Sequence, residues 1–218
     1  TIMTKLIDCK YRFGMTGTLD GTQTHRLVLE GLFGKVEKVT TTKELMDKDT
    51  LASLKIKCLV LKHKENECKE VKDLKYSEEL QYIVAHKTRN DFITTLCDKL
   101  TGNTLCLYQL VEKHGLVLYN MMKDFDRKVF FIHGGTDTET REKIRAITEK
   151  ETNAIIVASY GTFSTGINIR NLHNIVFASP SKSRIRVLQS IGRGLRKSDK
   201  GNILSLIHIS EPTRRTPI

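Results

Sequence analysis

From residue 103 onward the chain alternates two spacings of apolar residues. "NTLCLYQL" (103–110) is a continuously apolar run of strand length, and "EKHGLVLYNMMKDF" (112–125) sets Leu116, Leu118 or Tyr119, and Met122 at helical intervals. "RKVFFIHGG" (127–135) predicts a second strand ending in paired glycines. "TDTETREKIRAITEKE" (136–151) predicts a helix, with Thr136 and Glu139 spaced as a capping box, in which hydroxyl and carboxylate satisfy free amides at the helix start. "NAIIVASYG" (153–161) and "LHNIVFASP" (172–180) are two more strands, the second closed by Pro180, and a last helix runs from about Ser183 to Lys197. Short, wholly apolar strands separated by helices imply an α/β fold, a parallel sheet covered on both faces. Ligands of such sheets meet the loops at the carboxyl ends of the strands, here 133–138, 159–168 and 179–184.

The first hundred residues are less regular. "YRFGMTGTLDG" (11–21) is rich in Gly and Thr, as a strand-to-turn junction is. A charged tract from Lys43 to Lys75 surrounds one strand-like run, "LKIKCLVLKH" (54–63), whose alternation suits an edge or connecting strand. At the other end, "LSLIHISEPTRRTPI" (204–218) breaks the alternation, and its first eleven residues resemble the in-frame translation of a transposase-type sequencing adapter. It is read as a non-native tail without designed packing. The expected organisation is therefore residues 1–30, a connecting segment 31–85, a compact α/β unit 86–203, and the tail 204–218.

Composition narrows the class. The longest apolar runs among the 218 residues are strand-sized, far below the roughly 20 needed to cross a bilayer, so no membrane span is expected. The opening "TIMTKLIDCKYRFG" lacks the pattern of a secretion signal. Five cysteines, with no C-x-x-C pair, imply neither a disulfide framework nor a zinc ribbon, and a reducing cytoplasm is the expected compartment. Cys58, His63 and Cys68 are conceivable metal ligands, but their spacing fits no common site and no metal is expected. The formal net charge of +11 points to a polyanionic partner. Between Ser181 and Lys200 it is concentrated: Lys182, Arg184, Arg186, Arg193, Arg196, Lys197 and Lys200 stand against Asp199 alone.

Within that segment lies "LQSIGRGLRKSD" (188–199). At about 100° per residue, Gln189, Gly192, Arg193 and Arg196 share one face of a helix, and Leu188, Ile191 and Leu195 share another. The apolar stripe packs the helix; the other face presents two guanidiniums and an amide, with a glycine leaving room for close approach. Guanidiniums are permanent planar donors suited to phosphate oxygens. Two readings stay open on the chemistry: neutralising charge on a transferred phosphoryl group, or clamping nucleic-acid phosphates on a surface helix. The chain's own "GLFGKV" (31–36) lacks the glycine spacing and the following Ser/Thr of a Walker A loop, and "FGK" within it reads as a turn.

Taken together, the motifs resemble those of superfamily 2 helicases, in order. "QSIGRGLR" resembles motif VI, "MTGT" (15–18) motif III, "TLCLYQL" (104–110) motif IV, "IHGGTDTETRE" the segment after it, and "ASYGTFSTGINI" (158–169) motif V. Within the superfamily, "VASYGTFSTGI", "DTETR" and "GRGLRK" are most similar to the UvsW-type recombination and repair helicases of phages. The resemblance implies the end of a first RecA-like lobe, carrying motif III, followed by a helicase C-terminal RecA-like lobe with a parallel sheet flanked by helices. It implies that Arg196 is an arginine finger on the γ-phosphate of ATP, that Arg193 helps hold the same phosphates, and that Gln189 and Gly192 line the nucleotide. Asn168 stands where many relatives carry an acid and is a further nucleotide candidate. Ser164, Thr165 and Gly166 are expected on the phosphate backbone of the tracked DNA strand. His133 and Gly134 are placed on the same path, although His133 taken alone reads as a satisfied strand-end histidine. Thr16 and Thr18 are expected to couple hydrolysis to lobe movement.

The implied substrate is ATP with Mg2+, held mainly by a first lobe whose Walker loop and acidic box are expected upstream of Thr1; the piece alone is expected to hydrolyse nothing. The implied partner is DNA, contacted through its backbone largely without regard to sequence, in the cytoplasm (of the host, if phage-encoded). Two alternatives remain: a duplex translocase of restriction or remodelling type, and a non-catalytic nucleic-acid-binding module.

Overall fold

A computed structural model describes residues 9–17, 19, 22–166, 169–181, 183–195 and 203–210, with the backbone course alone at 164–166, 184 and 203. Helices α1 (Gln23–Phe33) and α2 (Thr42–Asp47) precede strand β1 (Ser53–Val60). Helices α3 (Glu65–Val71), α4 (Tyr76–Ala85) and α5 (Lys87–Lys99) follow. The alternating part comprises β2 (Thr104–Tyr108), a π-helical turn Val111–Gly115 running into α6 (Leu116–Met122), β3 (Val129–Ile132), α7 (Thr138–Lys150), β4 (Ile155–Ser159), α8 (Tyr160–Gly166), β5 (Asn174–Phe177), α9 (Arg184–Gly194) and β6 (Ile203–Ser210).

The six strands form one sheet in the order β1-β6-β5-β2-β4-β3, and every pairing is parallel. Each residue of β2 is buried, as its unbroken apolar run requires at the centre of a sheet covered twice. Successive side chains alternate between the two cores. Leu105 and Leu107 join Ile156, Ile175, Phe177 and Phe163 on one face; Cys106 and Tyr108 join Ile93, Cys97, Leu118 and Val157 on the other. Helices α7, α8 and α9 therefore cover the first face, and α5 and α6 the second. The last turn of α5 is closed by Arg127, whose guanidinium donates to the carbonyls of Cys97 (2.6 Å), Asp98 (3.0 Å), Leu100 (2.9 Å) and Gly102 (2.9 Å). Of the expected "FGK" turn, Phe33 is instead the last residue of α1, and the chain leaves the helix at Gly34, which caps it at φ 86°, a conformation that favours glycine.

Four local expectations are corrected. The cap of α7 is Asp137, whose carboxylate accepts from the Thr140 amide at 2.8 Å, while the Thr136 hydroxyl is taken up by the His133 amide at 3.1 Å. The helix predicted over 112–125 begins as the π-turn, in which the Gly115 amide reaches back five residues to the Leu110 carbonyl. On α9 the packing stripe is Val187, Ile191 and Leu195, with Ser190 and Gly194 between, and Leu188 lies outward. The tail read as unpacked supplies β6, which sits between β5 and β1 and buries Leu204, Leu206, Ile207 and Ile209. "ILSLIHIS" is apolar at alternate and consecutive positions and rich in β-branched residues, so it fills an interior strand slot whatever its origin. The connecting segment 31–85 is likewise not separate from the sheet, since β1 is its edge.

Candidate nucleotide and nucleic-acid interface

Ser179, two residues past β5, is where the carboxyl ends of the central strands are joined. Its hydroxyl accepts from the Gln109 amide at 3.0 Å, just beyond β2, and lies 2.8 Å from Nδ1 of His114 in the π-turn. Its carbonyl accepts from the Tyr160 hydroxyl at 2.8 Å, at the first residue of α8. The buried Arg89, near the start of α5, donates to the neighbouring Ala178 carbonyl. His114 is fully buried, and desolvation together with the positive charge of Arg89 lowers its pKa to about 3, so the ring is neutral at physiological pH. Burial likewise raises the Tyr160 phenol well above its ordinary range, so it stays a donor.

Two helices leave this junction. α8 starts directly at the end of β4, where Ser159 Oγ accepts from the Thr162 amide at 3.2 Å and lies 2.7 Å from its hydroxyl. After Pro180, Ser183 caps α9, its hydroxyl accepting from the Arg186 amide at 3.3 Å. The two helices pack against each other. At the far end of α9 the Leu195 carbonyl accepts from the Ala52 amide at 2.9 Å, next to the start of β1, so the helix has run back to the amino ends of the strands.

The sequence-predicted residues are thereby divided. His133 and Gly134 stand at the carboxyl end of β3: His133 Nδ1 accepts from the Gly135 amide at 3.1 Å, and Arg141 donates to the Gly134 carbonyl at 2.9 Å. The histidine is thus engaged within its own loop. Ser164, Thr165 and Gly166 form the last turn of α8. Gln189 and Gly192 are on the exposed face of α9, and Arg193, half-buried, is in its last turn; no ion pair to Arg193 occurs among the described residues. A Cβ on Gly192 would meet nothing within 4 Å, so that face is open to an approaching ligand. Thr16 lies in an exposed irregular stretch. Thr18, Asn168 and Arg196 fall outside the described residues.

Sequence reasoning passed over Ser179, His114, Tyr160 and Gly194. A Cβ on Gly194 would stand 2.5 Å from Ile175 Cδ1 and 2.9 Å from Leu204 Cδ2, so this glycine, and not Gly192, is what lets α9 press onto the sheet. The repeated glycine in "GRGLR" was the available signal; a lone buried serine after a strand offers none.

A parallel α/β lobe with two packed helices, the second carrying an outward amide beside a glycine and an arginine without an ion pair among the described residues, has the architecture of a RecA-like helicase C-terminal lobe. Residues 87–198 match the helicase conserved C-terminal domain, and the chain belongs to that family. It is 35% identical over 209 residues to the ATP-dependent DNA helicase uvsW of Enterobacteria phage T4, an alignment covering 94% of this chain and 41% of that protein. The crystal structure of T4 UvsW superposes with a TM-score of 0.65 at 33% identity, covering 86% of this chain and 36% of the other. A fragment of an HsdR subunit of a type I restriction enzyme from Vibrio vulnificus YJ016 shares the fold, with a TM-score of 0.63 at 19% identity over 88% of this chain and 38% of that one. The chain thus spans about two fifths of the length of the helicase relative it matches.

Proposed function

We propose that this chain is the C-terminal motor half of an ATP-dependent superfamily 2 DNA helicase or translocase acting on branched or duplex DNA in recombination and repair. The observation that carries the reading is the outward face of α9, where Gln189, Gly192 and Arg193, which has no ion pair among the described residues, stand together with open space over the glycine. The similarity to a phage ATP-dependent DNA helicase supplies the substrate class. In the complete motor a first lobe holds Mg2+ and ATP, and this lobe closes over them. Arg196 then neutralises charge developing on the γ-phosphate, Arg193 holds the phosphates, and Gln189, Gly192 and Asn168 line the nucleotide. Ser164, Thr165 and Gly166 grip the DNA backbone, with His133 and Gly134 contributing through their loop, and Thr16 and Thr18 couple the lobes. Contacts of this kind ignore base sequence and weaken steeply with salt. The protein works in the cytoplasm.

The test is Arg196→Ala in the complete protein. DNA-stimulated ATP hydrolysis is expected to fall by about three orders of magnitude, as when a finger is withdrawn, while DNA affinity stays within a few-fold. Unchanged turnover removes the finger assignment; lost DNA binding with normal basal turnover favours the phosphate-clamp alternative.

A further inference from the structure

Away from the strand ends, three side chains from separate elements converge. His63 follows β1, Glu67 lies in the first turn of α3, and His86 caps α5. Each offers one ligand atom, and these atoms all lie within 4.8 Å of one another. The carboxylate is 3.6 Å from His63 Nδ1 and 3.4 Å from His86 Nε2. Three ligands about 2.0–2.2 Å from a tetrahedral ion stand roughly 3.3–3.5 Å apart. The His86 separation, to Oε1, already fits and the His63 separation, to Oε2, is about 0.1 Å long, so the two rings, edge to face with centroids at 5.0 Å, need to draw together about a single carboxylate oxygen.

His63 separates this group from an ordinary surface cluster. Its side chain is only 8% exposed, and its Nε2 is buried with no hydrogen-bond partner among the described residues. Neither neutral tautomer satisfies the ring. With the proton on Nδ1, the Nε2 lone pair is orphaned; with the proton on Nε2, the Nδ1 lone pair faces a carboxylate. A cation at Nδ1 removes the second conflict, with the proton kept on the buried Nε2 that points away from the ion. Glu67 is held for the purpose, since Oε2 accepts from the Lys64 amide at 3.0 Å. We propose that His63, Glu67 and His86 bind a first-row divalent transition ion, Zn2+ by ligand type, which pins the connecting segment to the first turn of α5. A fourth position is left to water. Capture releases no proton from neutral rings: each imidazole keeps its hydrogen on the nitrogen away from the ion. For His86 that nitrogen is Nδ1, which then gives up its 3.3 Å bond from the Arg89 amide.

The site is independent of ATP and DNA, and the purified, chelator-stripped chain titrated with Co2+ tests it. The expected result is one-to-one binding with the visible bands of a tetrahedral nitrogen and oxygen site, displaced by one equivalent of Zn2+. Glu67→Gln and His86→Asn are each expected to weaken binding roughly 100-fold or more. Both variants keep the fold, because Gln still accepts from the Lys64 amide and Asn is a good helix cap; unchanged circular dichroism melts verify this. No saturable binding below about 100 µM, thiolate charge-transfer bands, or affinity within tenfold of the parent in either variant overturns the site.

Discussion

Gly192 and Gly194 stand two residues apart on α9 and do opposite things. Gly194→Ala drives a methyl into Ile175 and Leu204, and overpacking of this kind is expected to cost about 1–3 kcal/mol in urea unfolding. Gly192→Ala meets open space and, by helix propensity, is expected to hold or raise stability by up to about 1 kcal/mol. In the complete protein the same substitution is expected to lower ATP turnover, because the proposed function places the nucleotide against this face. A residue that melts higher and works worse is distinguished from one that merely packs. His114 carries a second prediction at this scale. Its folded pKa, about 3, lies below the ordinary value of 6.5, so the unfolded chain binds more protons between those limits. Stability is intact above pH 6.5 and drains away as pH falls toward 3, at up to about 1.4 kcal/mol per pH unit. Between pH 7.5 and 5.0 the parent is expected to lose about 2 kcal/mol through this residue, and His114→Asn to lose correspondingly less. The open face at Gly192 was legible as a glycine on the polar side of the helix, but the packing role of Gly194 and the neutrality of His114 were not, since both depend on which atoms lie opposite.

Among elements, the starts of α8 and α9 are tied to β2 and the π-turn through Ser179. Ser179→Ala deprives the Gln109 amide and His114 Nδ1 of their shared partner, at an expected cost of about 2–4 kcal/mol. Tyr160→Phe removes one bond to the Ser179 carbonyl, worth about 1 kcal/mol. Because both act on the same residue's position, the double variant is expected to depart from additivity by about 0.5 kcal/mol or more in denaturant titrations; strict additivity would show that the junction is not one unit. The strands around it were legible because continuous apolar runs of four to eight residues have few other uses. The caps were less so. Thr136 and Asp137 are adjacent acceptors, and the capping-box spacing favours the first, but the carboxylate, the stronger acceptor, takes the helix and the hydroxyl takes the His133 amide.

One interior strand of the sheet is a segment whose sequence resembles an adapter translation. Leu204, Leu206, Ile207 and Ile209 are buried in β6, and at about 1.5–3 kcal/mol each their burial rivals the entire stability of an ordinary domain. Among the described residues β1 pairs only with β6. A chain ending at Asn202 is therefore expected to lose cooperative unfolding, and Lys55 and Lys57 on β1 to become sites of rapid tryptic cleavage. Retention of a sharp transition would show that β6 merely occupies a vacancy. Sequencing the gene from intact DNA decides separately whether the adapter-like residues are native. The parallel α/β class was readable from residue 103 onward because it rests on period, and the order of motifs was readable only through their resemblance to those of superfamily 2 helicases. The two-place division of the site was not, because it depends on α9 running back from the carboxyl to the amino ends of the strands.

The π-turn at Val111–Gly115 has one residue more than an α-turn would hold. A one-residue deletion there would restore ordinary helical phase and swing what precedes it by about 100° around the axis. His114 would then leave Ser179, and Gly115, where a Cβ would stand 2.5 Å from the Tyr108 ring, would face elsewhere. The irregular turn is thus a phase setting: loops nearby can gain or lose residues, but here the reading of length is fixed to a single residue.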